Sequence, residues 1–125
     1  MTTDPKSIAL AYIDACGRKD LDAVAPLLAQ DMRFVGPGNT LTGSKPYLAV
    51  LRRLGPVWER SDVKKVFTDG ADVCVIYDFV TPTAGSVPIV EWLRVAGGRI
   101  VSVTLFFDRV AFKPASDELA RRAGS

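Results

Sequence analysis

Three side chains in this sequence of 125 residues pair acid–base chemistry with an apolar setting: Tyr12, Asp78 and Glu91. The sequence contains no histidine. That excludes Ser-His-Asp and Cys-His catalysis and nearly all catalytic zinc sites, so any acid or base must be Asp, Glu, Lys, Tyr or Cys. Tyr12 falls in a helical stripe with Ile8, Ala9, Ala15 and Cys16, where a phenol donates a hydrogen bond to developing negative charge or simply packs as a core tyrosine. Glu91 stands in the run Pro88-Ile89-Val90-Glu91-Trp92-Leu93-Arg94-Val95. Both of its alternating rows are apolar, so period-2 spacing alone leaves two readings open. Glu91 is either an inward carboxyl whose pKa rises by desolvation or an outward one paired with Arg94 or Arg99. Asp78, between Tyr77 and Phe79, is the spare candidate for a base, with an outward or interface aspartate as the alternative.

Other polar candidates read as structural. Asp14 lies on the polar side of its helix, while Asp31 and Asp108 lie at strand ends, with Asp108 and Arg109 expected as a surface pair. Cys16 and Cys74 are far apart and lack a CxxC spacing, so both read as buried free thiols and no metal site is expected. The stretch 38–45 echoes a phosphate loop but lacks the Gly-Lys-Ser/Thr order.

The elements that must position these groups follow from spacing and punctuation. Asp4-Pro5 starts a helix that Gly17 closes. Asp20 precedes Leu21, Val24, Leu27 and Leu28 at helical spacing, predicting a second helix to about residue 29 or 30 and a helical hairpin. Residues 32–35 read as a strand stopped by Gly36-Pro37-Gly38-Asn39, and a short extended piece at 40–42 follows. Ser44 is the expected cap of a third helix broken by Gly55-Pro56. Stretches 63–68, 73–81, 87–95 and 99–112 are β-branched and aromatic and are separated by hairpin signals. Helices followed by a long meander predict an α+β domain with a curved antiparallel sheet wrapped around the N-terminal helices. One domain, 1–125, is expected, with its core at about 5–112 and a polar tail at 113–125 that is partly mobile from Ala115 on.

Hydrophobic residues make up 48% of the chain against 24% charged, with a net charge of +2, as in one globular domain. The basic residues are scattered rather than striped, so no nucleic acid is expected. No apolar run reaches the length of a signal segment or membrane helix, so a cytoplasmic location and no membrane partner are expected.

The order helix, Lys19-Asp20-Leu21-Asp22, helix, Gln30-Asp31-Met32-Arg33-Phe34, Gly43, helix, Gly98-Arg99-Ile100 and a closing Phe106-Phe107-Asp108 resembles the nuclear transport factor 2-like superfamily, in its SnoaL-like and ketosteroid-isomerase-like branch. The resemblance implies a cone-shaped, cystatin-like α+β barrel around an apolar pocket, in a family that is often dimeric, so a homodimer is expected. It places Tyr12 on the tyrosine that donates to the enolate oxygen. Aligned back from Gly97-Gly98 with one residue removed from the turn, it places Glu91 on the second, protonated donor, with Ile89, Glu91 and Leu93 facing inward. The family's general base would stand before Pro37, where this chain has Gly36, and the acid that related epoxide hydrolases carry on the last strand is Leu105. The expectation is therefore a pocket for a small apolar ligand, with no cofactor. Tyr12 and Glu91 bind its carbonyl or hydroxyl, and Phe34, Trp58, Val103, Leu105 and Phe107 form walls. Trp58 is expected near the mouth. Two functional classes stay open: an isomerase or cyclase acting by proton transfer with Asp78 or the substrate as base, and a non-catalytic carrier or dimeric association domain.

Overall fold

Asp4 and Pro5 open the first helix in the computed structural model, which describes residues 3–123. The Asp4 carboxylate accepts from the Ser7 amide at 3.1 Å, satisfying one of the amides that a helix start leaves free. This helix, α1, spans Pro5–Gly17 and buries Ile8, Ala9, Tyr12, Ile13, Ala15 and Cys16. The second helix is shorter than its spacing suggests. α2 covers Leu21–Val24, tightens into a 3-10 turn at Ala25–Leu27, and gives way to β1 at Leu28–Gly36. Pro26 explains the difference, since it cannot donate to the preceding turn and so ends the α-helical ladder.

The chain continues through β2 (Asn39–Thr42), α3 (Ser44–Leu54), a 3-10 turn at Gly55–Val57, β3 (Arg60–Asp69), β4 (Asp72–Thr81), β5 (Gly85–Ala96), β6 (Arg99–Phe107) and α4 (Arg109–Ala123). The strands form one curved, unclosed sheet in the order β2-β1-β6-β5-β4-β3, and α1 packs on β3, β4 and β5. The α+β class with N-terminal helices against a curved sheet is as expected. One pairing departs from an antiparallel sheet, because β1 lies parallel to β6, with Phe34 beside Val103. Only a long crossover can make such a pair, and here the crossover is most of the domain.

Burial alternates along β5 and along β4 as far as Phe79, after which Val80 and Thr81 are buried as well. Val73, Val75, Tyr77 and Phe79 of β4 and Val87, Ile89, Glu91, Leu93 and Val95 of β5 face the helices. The hairpin register sets Glu91 opposite Val75 on one side and Leu105 on the other. Cys74, expected to be buried, belongs to the opposite row and is partly exposed, whereas Cys16 is buried. The predicted last strand, 99–112, ends at Phe107; Asp108 Oδ1 accepts from the Val110 amide at 2.9 Å and turns the chain into α4. The expected mobile tail is thus helical through Ala123, with Ala115 buried, and its residues 124–125 lie outside the described residues. Its apolar members are sparse, which is why the composition reads as a tail. No helix among the described residues is long and apolar enough to cross a membrane.

Ser44, expected as a cap, is the first residue of α3, and Gly43 holds the cap position at φ 102°, ψ 144°. The Gly43 amide donates to the Met32 carbonyl at 2.7 Å, which ties the start of α3 to β1. L side chains rarely adopt that backbone conformation. Gly43→Ala is expected to destabilise the domain by about 1–3 kcal/mol, seen as a lower urea midpoint at unchanged slope.

Candidate functional site

The inner sheet face and the helices do not fill the space between them. A cavity of about 170 Å³ remains, walled by Phe34 of β1, Tyr77 and Phe79 of β4, Ile89 and Glu91 of β5, Leu105 and Phe107 of β6, and Tyr12, Tyr47 and Leu51 from the helices. Eight of the chain's eleven aromatic residues line it. Ring packing makes the wall stiff: Phe34 stacks on Tyr47 with centroids 5.0 Å apart, and Trp58 lies against Phe79 at 4.7 Å.

The hydroxyl and carboxyl groups of the wall gather in one cluster, and Asn39 is a further polar residue lining the cavity. The Tyr77 hydroxyl donates to Glu91 Oε1 at 2.8 Å, and the hydroxyls of Tyr12 and Tyr47 share a short hydrogen bond. Glu91 Oε2 is fully buried with no hydrogen-bond partner among the described residues. Burial pushes the Glu91 carboxyl up to about 7, and the hydroxyls of Tyr77 and Tyr12 restrain the rise by favouring the charged form. Burial, reinforced by the nearby carboxylate, also lifts Tyr12, Tyr47 and Tyr77 well above the usual phenol range. Cys16 is raised in the same way. These phenols are therefore fixed donors or acceptors near neutral pH, and Glu91 is the group that changes charge.

Tyr12 and Glu91, separated by 79 positions, meet in this cluster. Phe34, Trp58, Leu105 and Phe107 lie on the cavity wall, with the Trp58 indole Nε1 donating to Ser61 Oγ at 2.9 Å. Val103 is fully buried beside Leu93 in the packed core and does not line the cavity. Asp78 is not with the others. Its neighbours Tyr77 and Phe79 take the inward positions, so it faces out, 24% exposed, 3.6 Å from Lys64 Nζ. The pleat places it on the wrong side of the sheet to act as a base in this cavity. Gly36 does line the cavity, but a Cβ there would lie 2.9 Å from the Phe34 ring, so the space a carboxylate would need is taken by an aromatic edge. Arg94 pairs with Asp72 rather than Glu91.

Tyr47 and Tyr77 are the members that the sequence analysis does not assign to the site. The second was within reach. With Thr81 paired to Gly85, β4 and β5 run in a fixed register that puts Tyr77 diagonal to Glu91 on the inner face. No group of three or more His, Cys, Asp or Glu among the described residues could hold a metal ion.

Comparison with known proteins agrees with this architecture. A family profile described as a SnoaL-like domain matches residues 9–103. No protein of curated function matches the sequence. Among solved structures, a protein from Kribbella flavida is 26% identical with a TM-score of 0.82, over 92% of this chain and 95% of its own. A candidate ketosteroid isomerase from the same organism is 23% identical with a TM-score of 0.74, over 83% and 77% of the two chains. A candidate SnoaL-like polyketide cyclase from Jannaschia sp. is 19% identical with a TM-score of 0.75, over 89% and 90%. At under 25% identity, the last two show the shared fold.

The buried carboxyl has a consequence for stability. Below its ordinary value of 4.5 it is protonated whether the chain is folded or not; between 4.5 and about 7 only the folded protein keeps the proton. Stability therefore falls as pH rises through that window, by on the order of 3 kcal/mol, and levels off above it. Glu91→Gln, which retains an acceptor for Tyr77, is expected to flatten this dependence in urea unfolding from pH 4.5 to 8. Tyr77→Phe is expected to raise the Glu91 pKa further, as read by NMR titration.

Proposed function

The chain belongs to the SnoaL-like domain family of the nuclear transport factor 2-like superfamily, and on that footing we propose that its cavity binds a small, mostly apolar compound by a carbonyl or hydroxyl oxygen. The observation that carries this reading is the cluster of Tyr12, Tyr47, Tyr77 and Glu91 at one place in a mostly apolar, aromatic cavity. A buried carboxyl oxygen without a partner is rare in folded proteins, and a ligand oxygen beside it supplies what Oε2 lacks. With Glu91 protonated, its hydroxyl and that of Tyr12 are the two donors to that oxygen. The rings around them exclude water and so strengthen both hydrogen bonds.

The same donors suit a reaction. Enolate-like charge growing on the ligand oxygen would meet preorganised hydrogen bonds, the mode of stabilisation by which cofactor-free proton transfer is accelerated. This isomerase- or cyclase-type reading is in keeping with the names of the two structural neighbours, a candidate ketosteroid isomerase and a candidate polyketide cyclase. In it the substrate supplies the base, since Asp78 faces away and Gly36 carries no side chain. The missing base is what favours the second reading, a carrier that binds the same compound without turnover.

As for partners, we read the protein as a homodimer. Phe67, Trp92 and Phe106 stand 54%, 47% and 53% exposed together on the outer face of the sheet. Of the charged residues around it, Asp72 and Arg94 are already paired with each other while Asp69 lines the same hollow, and the three exposed rings suit an apolar, self-complementary contact. A Trp92→Asp variant is expected to sediment as a monomer where the native chain sediments as a dimer.

Binding of cyclohexenone or phenol, followed by calorimetry at pH 6, tests the pocket. Tyr12→Phe and Glu91→Gln are each expected to weaken binding by about tenfold, the worth of one buried hydrogen bond. Unchanged affinity in folded variants would remove the cluster from the site. Turnover of an enone by the native chain, lost in both variants, would decide for the enzyme over the carrier.

A further inference from the structure

The helix that follows the last strand meets the residues around the cavity at three places. Arg109 begins α4 against the β1–β2 turn, its Nη1 3.1 Å from where a Gly38 Cβ would lie. Phe112, one turn on, sets its ring edge-on to Phe79 at 5.6 Å and to Phe107 at 5.4 Å, and it lines the cavity. The helix also packs on the Gly55–Val57 turn, which leads into Trp58 of the cavity wall. α4 therefore packs beside the cavity, and Phe112 is the side chain it places on the cavity wall. At about 170 Å³ the cavity is close to the ~150 Å³ of an apolar protein cavity that accepts one benzene molecule. Phe112 shares the cavity wall with the residues of the polar cluster, so the position of its ring bears on the space left for a ligand.

From this geometry we infer that the ligand is a neutral single-ring compound, a phenol or a cyclic ketone, and that Phe112 on α4 sets this limit by denying space to a second fused ring. The inference rests on the binding reading above and narrows it. Among the described residues no charged side chain other than Glu91 lines the cavity, so a ring bearing a fixed charge would be bound without compensation. A fused two-ring body seated on the same cluster has to displace the Phe112 ring from its two aromatic contacts. A four-ring body has to shift the helix as well.

Three phenols of rising size test it with the hydrogen-bonding chemistry held constant: phenol, naphthol and estradiol, titrated into the full chain at pH 6 by calorimetry. In water, apolar association normally tightens with size, so the expected order runs against the trend. Phenol binds, naphthol binds at least tenfold more weakly, and estradiol gives no heat of binding. In Phe112→Ala the naphthol-to-phenol affinity ratio is expected to rise at least tenfold. Phe112→Val, a smaller loss of volume, gives an intermediate ratio and serves if the alanine variant does not fold. Naphthol bound by the native chain as tightly as phenol, or a ratio unmoved in the variants, would overturn the role of Phe112 while leaving the binding reading intact. Absence of phenol binding would overturn both.

Discussion

A carboxyl group placed inside an aromatic core is the constraint around which the rest of this domain is arranged. Ionised, Glu91 would face a desolvation cost that no buried cation among the described residues offsets, since Arg94, the other charged residue of its strand, faces the other way and pairs with Asp72. The fold answers with hydroxyls instead of charge. Tyr77 occupies one oxygen, and Tyr12 with Tyr47 forms a second hydrogen-bonded pair in the same wall. The result is a carboxyl that keeps its proton close to neutrality and retains one unfilled oxygen. Such an arrangement is poor as a structural device and well suited to receiving an oxygen from outside.

Each hydroxyl reaches Glu91 by a different route. Tyr77 arrives through the tight β4–β5 hairpin, whose register leaves no freedom once Thr81 and Gly85 are paired. Tyr12 comes with the inward stripe of α1, and Tyr47 sits one turn before Leu51 on the buried side of α3. The position of α3 depends on Gly43, the pivot between β2 and that helix, so a backbone conformation remote from the chemistry helps set where the third hydroxyl stands.

The sheet also sorts the aromatic residues. Eight enclose the cavity and three, Phe67, Trp92 and Phe106, gather on the outer face. Neighbours in sequence fall on opposite sides, as Phe106 and Phe107 do, because the pleat alternates along each strand. The same rule separates Asp78 from Tyr77 and Phe79. An acidic residue flanked by aromatics looks anomalous along the chain and becomes unremarkable once the pleat turns it toward Lys64.

Much of this was legible in the chain itself. The capping pair Asp4-Pro5, the apolar stripe around Tyr12, the hairpin signals and the change from helical to alternating period are local properties, so they specified α1, α3, the central strands and the α+β class. The absence of histidine limited the chemistry, and family resemblance pointed to Tyr12 and Glu91. Features that depend on distance did not show. Which row of β5 faces inward, the parallel seating of β1 on β6, the approach of Tyr47 and Tyr77 to the cluster, and the return of a polar C-terminal segment as a helix beside the cavity are all decided by packing between elements far apart in sequence. Residue spacing fixes a side chain's direction relative to its own backbone; only the assembled sheet and helices determine what that direction meets.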